Sequence, residues 1–264
     1  VDINDLIGFH LYVHKEMNPE ILASCLSFRD SNKDIYMDIG ANVGTTCIGP
    51  ALSTKSKLIC IEASKKNSSL LNKNIYQNGI KAWVFNCAVT DEKKSVSNTF
   101  LNLFLQPGNT GASSLDVNHA KPYEKTPTES EAVPTSTIDK CIDFCNVDVN
   151  KIYLIKMDIE SEELNALKGA KSIFGKVPLL IEYVANRQNA IDLREYLLKK
   201  YTIYSFNSNL DLVEFLPSRS YSSILCLPIN NLENYLKLYE KKSLLRKKLI
   251  LSLPRYGLER LKNN

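Results

Sequence analysis

The chain has 264 residues, is 44% hydrophobic and carries a net charge of +4. That is enough to bury a full-sized core in one α/β domain, and nothing in it demands a second domain. It has no run of 18 apolar residues, no signal-peptide pattern and no internal repeat, which argues against membrane-spanning and solenoid classes and makes a cytoplasmic protein the expectation. The chain begins without Met, so a fragment of a longer protein stays open.

Residues 8–14 read as an opening strand, on which His10 and His14 alternate as structural or surface groups. Asn18-Pro19 then opens a helix through residue 28, with Asn as cap and Pro in the first turn. Residues 1–32 therefore form an N-terminal strand-and-helix addition. The run Tyr36-Met-Asp-Ile-Gly-Ala-Asn-Val-Gly44 follows, a short apolar stretch ending in an acid and two glycines spaced Gly-x-x-x-Gly. This predicts a strand, a tight loop and a helix: Gly40 lets the backbone turn, Gly44 lets the helix start close to a ligand, and Asp38 can anchor a polar group. The spacing lacks the Gly-x-Gly-x-x-Gly that pyrophosphate needs, so a dinucleotide site is not expected.

Residues 43–52 and 66–78 read as crossover helices, the second stopped by Gly79. Between them, Lys57-Leu-Ile-Cys-Ile-Glu62 is a strand ending in an acid, eighteen residues past Gly44, where it can accept hydrogen bonds from two ribose hydroxyls. A glycine loop without pyrophosphate chemistry and a ribose-binding acid describe an adenosine with a small charged appendage, and S-adenosylmethionine fits. Further strands are expected over 82–88, 152–158, 177–183, 201–206 and 223–227, with helices over 161–174 and 187–200. The last two strands have the short spacing of an antiparallel end to an otherwise parallel sheet.

Residues 106–131, rich in Gly, Ser, Thr, Pro and Asn, are long for a connection. They are a candidate lid or acceptor-binding loop, or else an excursion with no role. The small residues of Gly108-Asn-Thr-Gly-Ala-Ser-Ser114 allow close approach, and His119 in the same segment is a candidate proton acceptor. The seven cysteines are odd in number and form no Cys-x-x-Cys pair, so small core hydrophobes are expected rather than disulfides or zinc. Cys141 and Cys145 lie one helical turn apart, but without a His or further Cys nearby they do not make a metal site.

The tail changes character. From 233 to 264 nine Lys or Arg face three Glu, so this segment carries +6 and the remainder −2. The near-neutral remainder argues against a nucleic-acid substrate. Leu232, Tyr235, Leu236 and Tyr239 form one helical stripe. A basic amphipathic extension over 231–264 can dock on an anionic membrane, an acidic glycan or a partner, or it packs on the domain of residues 1–230 or links to a further region.

Five ordered blocks now carry a resemblance. Asp38-Ile-Gly-Ala-Asn-Val-Gly44, Glu62-Ala-Ser with Leu71-x-x-Asn74-Ile75, Asn86-Cys-Ala-Val-Thr-Asp91, Val133-Pro-Thr-Ser-Thr-Ile-Asp139, and Ile155-Lys-Met-Asp-Ile-Glu-Ser-Glu-Glu163 with Leu167-Lys-Gly-Ala170 resemble the blocks of FkbM-type methyltransferases. The resemblance implies a Rossmann-like, seven-stranded class I methyltransferase sheet, mostly parallel with an antiparallel final strand and helices on both faces. It also implies S-adenosylmethionine as methyl donor and O-methylation of a sugar, glycan or glycolipid precursor, or of a polyketide-like metabolite; an inactive module that binds glycan or a partner is the other class left open. Ser161 stands where the family usually has Gly.

Carried over by position, Asp38, Gly40, Asn42 and Gly44 would surround the methionine end, Glu62 the ribose, and Ala63 the adenine. Asn86 and Ala88 would lie on the other adenine face, or simply be small residues at a strand end. Asp158, at the end of the strand beside the first, leads the candidates for the base, followed by Glu160, Glu182 and His119. Glu163 reads as a first-turn acid complementing the helix dipole. No metal is required, although Asp158, Glu160 and Glu182 are an alternative oxygen set for Mg²⁺ or Ca²⁺.

Overall fold

The computed structural model describes residues 18–106, 108–116, 129–187 and 189–252. The predicted strand over 8–14 and His119 lie outside them.

Strands β1 (Ile35–Ile39), β2 (Lys57–Ile61) and β3 (Ala82–Phe85) are linked by helices α2 (Ile48–Thr54) and α3 (Lys65–Gln77), after α1 (Pro19–Phe28). Ser64 caps α3 by accepting the Asn67 N–H, and Gly79 just beyond its end takes φ +64°. Asn18, in contrast, makes no side-chain capping bond to α1, which relies on Pro19 in its first turn. The third strand is shorter than expected because the Asn86 side chain donates to the carbonyls of Glu62 and Ala63, turning the chain out of the sheet.

The chain then builds what its composition hid. β4 (Ala88–Val89), α4 (Glu92–Ser97), β5 (Phe100–Phe104) and β6 (Ser130–Ser136) precede α5 (Ile138–Cys145), and the strands form a separate sheet in the order β4-β6-β5. Part of the predicted lid is thus ordered structure: Phe104 bridges Ser114, and a short 3₁₀ turn covers Thr110–Ala112.

The main sheet resumes with β7 (Ile152–Met157), α6 (Glu163–Lys168), β8 (Leu179–Tyr183), α7 (Ala190–Leu198), β9 (Tyr201–Phe206), β10 (Leu212–Glu214) and β11 (Tyr221–Pro228). Its order is β10-β9-β11-β8-β7-β1-β2-β3. Strands β3, β2, β1, β7 and β8 pair parallel, whereas β11 is antiparallel to β8 and β9. One strand exceeds the expected seven, the short edge β10. The helix expected over 161–174 is only α6: the left-handed backbone at Glu160 and Ser161 delays its start, and it ends at Lys168 before Gly169, after which the chain runs in turns.

Strand alternation divides the core into two layers. Ile35, Met37 and Ile39 face α5, α6 and α7 on one side, while Tyr36, Leu58 and Cys60 meet α1, α2 and α3 on the other. The basic extension begins as part of this second layer. Helix α8 (Leu232–Lys241) buries Tyr235 and Tyr239 against Phe28, and the Tyr239 hydroxyl donates to Leu210 O at 2.7 Å. In α9 (Ser243–Ser252), Arg246 lies over the Tyr239 ring and pairs with Asp211 at 3.7 Å, so this tail cation is used internally. Among the described residues no helix is long and apolar enough to cross a membrane.

Candidate active site

The carboxyl ends of β1, β2 and β7 open into one cleft, roofed by the small sheet and its loop. β1 runs out at Ile39, and Gly40 turns at φ +77° with its N–H on Ile61 O. A Cβ at Gly40 would lie 1.9 Å from the Asp158 carbonyl oxygen. The glycine therefore lets the loop lie against the end of β7, and it also lines the cleft. Gly44 serves differently from the expectation: a Cβ there would strike Ile48 and Leu71, so its bare backbone admits side chains of α2 and α3 rather than a ligand.

Asp38 also needs correction. It is fully buried beneath the loop and cannot touch a ligand directly. Thr46 Oγ1 donates to its Oδ2 at 2.6 Å, and Lys156 Nζ stands 3.4 Å from its Oδ1. The same ammonium donates to Gly40 O at 3.0 Å and pairs with Asp158 at 3.7 Å. Burial raises the Asp38 pKa against the lowering pull of Lys156. Burial alone would lower that of Lys156, but Asp38 and Asp158 hold it above its usual value.

Glu62 follows β2 and faces the cleft, with Oε2 accepting the Asn42 N–H at 2.8 Å and Oε1 the Ser64 N–H at 2.9 Å. Burial raises its pKa to about 7 despite these donors. Each oxygen keeps a lone pair for a ribose hydroxyl. Asn42 reaches its place with φ +50°. Ala63 and Ala88 line an apolar slot beside Glu62 together with Leu103 and Leu115 from the insert. A carboxylate beside a narrow apolar slot fits an adenosine. Asn86 is not among the lining residues, and its amide is taken up by the two carbonyls described above.

At the other end of the cleft stand Asp158 and Glu160, with Glu182 at the end of β8. Carboxylate oxygens of the three lie within 4.8 Å of one another. Arg187, in the turn before α7, reaches Glu160 Oε2 and Glu182 Oε2, each at 2.7 Å. Burial, and then Asp158, push Glu160 up to about 7 and Glu182 up to about 8, with Arg187 opposing. Glu163 is more than a first-turn acid: its Oε1 accepts the N–H groups of Ile159 and Ser161, closing the loop around Glu160. Ser161, in the usual glycine position, adopts φ +83°. Ser114 Oγ donates to Glu160 O at 3.0 Å, fastening the roof to this loop.

Sequence reasoning missed Lys156, Arg187, Leu103 and Leu115; Ser114 lay in the small-residue segment it singled out, but the bond from Ser114 to Glu160 O was not foreseen. Lys156 had a signal, since it is the lone charge in the apolar run of β7 and pairs in register with Asp38. Arg187 had little, because one partner, Glu160, lies 27 residues away and the other, Glu182, sits five residues upstream across the end of β8.

A family model described as the methyltransferase FkbM domain matches residues 38–222. No curated protein sequence matches the chain. Among solved structures, the chain is similar to a TehB-like SAM-dependent methyltransferase from Corynebacterium glutamicum, at 9% identity and TM-score 0.47, covering 84% of this chain and 94% of that one. It is also similar to an O-methyltransferase from Bacillus cereus in complex with SAH, at 11% identity and TM-score 0.45, with 85% and 86% covered. A SAM-dependent O-methyltransferase from Thermotoga maritima gives 10% identity and TM-score 0.43, with 83% and 70% covered.

Proposed function

The chain belongs to the FkbM methyltransferase family, with a S-adenosylmethionine-dependent methyltransferase fold, and from that premise we propose that it methylates a hydroxyl of a sugar, glycan or glycolipid precursor in the cytoplasm. The observation carrying this reading is the pairing, across one cleft, of Glu62 at the adenosine end with a part-exposed Asp158 at the end of β7. Bound S-adenosylmethionine supplies an electrophilic sulfonium methyl: the acceptor oxygen forms the new C–O bond, the S–CH₃ bond breaks, and the electron pair stays on sulfur as a neutral thioether.

The protein's part is largely placement. Glu62 orients the ribose, the slot of Ala63, Ala88, Leu103 and Leu115 shields the purine, and the loop at Gly40 and Asn42 shapes the methionine end. Holding the acceptor oxygen at attack distance provides much of the acceleration. A sugar hydroxyl is a weak nucleophile near neutral pH, and Asp158 takes its proton, a contribution of about 10²- to 10⁴-fold for general bases of this kind.

The test combines calorimetric titration of S-adenosylhomocysteine with transfer of a labelled methyl group from donor to cell-envelope glycan, glycolipid and small-metabolite fractions. Label in glycan or glycolipid supports the reading, and label only in small metabolites redirects it. Cofactor binding without transfer to any fraction would point to an inactive binding module. Asp158→Asn should lower transfer roughly 10²-fold or more while leaving S-adenosylhomocysteine affinity within a fewfold. Full recovery of its rate at saturating donor would move Asp158 into the binding shell.

A further inference from the structure

We propose that Arg187 is the resident cation of the acceptor end, a positioning residue whose guanidinium holds Glu160 and Glu182 in the place a divalent metal would otherwise take. The inference rests on the methyltransferase reading above, which makes this end of the cleft the acceptor side. Three carboxylates with oxygens within 4.8 Å of one another form a hard-oxygen set of the kind Mg²⁺ and Ca²⁺ accept. Left alone they would repel, and protonation or a cation must relieve them.

The chain brings its own cation. The two terminal nitrogens of Arg187 reach one oxygen each of Glu160 and Glu182 at 2.7 Å, with only 15% of the arginine side chain exposed. A planar fork serves two carboxylates at once, which a single ammonium does poorly. Its base is anchored as well, since the Arg187 N–H donates to Val184 O at 3.0 Å. Asp158 stands outside this clamp, pairs with Lys156 instead, and keeps 34% of its side chain exposed. The three acids are thereby sorted, two held in place and one turned to the acceptor.

Titration with MgCl₂ and CaCl₂, followed by calorimetry, tests this on the wild type, Arg187→Gln, Arg187→Lys and the double variant Arg187→Gln/Asp158→Asn. The wild type should show no saturable binding at micromolar metal. Arg187→Gln should gain a site at least about tenfold tighter than any wild-type response, lost again in the double variant, while Arg187→Lys, which keeps the charge but not the fork, should bind metal more weakly than Arg187→Gln. Arg187 does not line the cleft, so S-adenosylhomocysteine affinity should stay within about twofold in the two single variants. Saturable micromolar Mg²⁺ binding to the wild type that disappears in Asp158→Asn overturns the proposal without requiring any Arg187 variant to fold. An Arg187→Gln protein that binds S-adenosylhomocysteine normally but gains no cation overturns it too. Failure of the wild type to bind S-adenosylhomocysteine would instead remove the methyltransferase reading beneath it.

Discussion

Replacing Lys156 by methionine keeps an unbranched chain one atom shorter and removes the charge from a nearly inaccessible place. Lys156 is 6% exposed and Asp38 fully buried, and the two occupy facing positions of β7 and β1. Without the ammonium, Asp38 retains the Thr46 hydroxyl as donor but no counter-charge. Breaking one side of a buried pair typically costs about 3–5 kcal/mol. In a chain of this size that lowers the melting temperature by roughly 6–20 °C. Adding Asp38→Asn removes the stranded charge and should recover most of the loss, since replacing both partners is often near neutral.

The deficit also has a pH signature. The folded-state pKa of Asp38 already lies above its ordinary value through burial and should rise further without Lys156. An acid shifted upward favours folding below its unfolded pKa and loses that contribution as pH rises through the folded one. The deficit of Lys156→Met should therefore be smaller near pH 5 than near pH 8, read from guanidinium unfolding followed by circular dichroism. A loss under about 1 kcal/mol, or a double variant no more stable than the single one, would refute the reasoning.

Glu62→Ala should weaken S-adenosylhomocysteine binding by about 1.5–3 kcal/mol, because it removes the charged acceptor for two ribose hydroxyls; an unchanged calorimetric dissociation constant would take Glu62 out of the site. The wild-type affinity should tighten as pH rises through about 7, where Glu62 loses its proton, and Glu62→Gln should abolish that dependence. At Gly40, alanine should destabilise the fold itself by more than about 2 kcal/mol, since its Cβ meets the Asp158 carbonyl and its φ is positive, an outcome chemical denaturation would contradict if stability were retained.

Periodicity made the main sheet legible. The runs of β1, β2, β7 and β8 are apolar except for Asp38, Lys57, Lys156 and Glu182, close to what strands buried on both faces require, and acids at or near their ends marked the cleft. The small sheet was hidden because β4 is two residues long, β6 contains Pro134, and β5 leaves Phe100 exposed, so none alternates strongly enough to stand out. The site was half legible for a related reason. Glu62, Asp158 and Glu160 sit next to recognisable strand ends, whereas the roles of Arg187 and Ser114 depend on contacts 27 and 46 residues away in the chain. Asp38 was misplaced because a strand-end acid reads the same whether it faces a ligand or a buried lysine from the neighbouring strand.

The distribution of thiols gives the protein a built-in reporter of its own opening. All seven cysteines are unpaired and buried, with Cys25, Cys47 and Cys60 in the layer under α1, α2 and α3 and Cys87, Cys141, Cys145 and Cys226 in the opposite layer. Apart from Cys87, which lines the cleft, the thiols are closed to a maleimide in the native protein, so their labelling proceeds as fast as each layer breathes. Mapping the modified peptides over time would show which side of the sheet loosens first. The same chemistry sets a handling rule: once unfolded in air, a chain with seven newly accessible thiols can cross-link wrongly, so reversible refolding calls for a reductant.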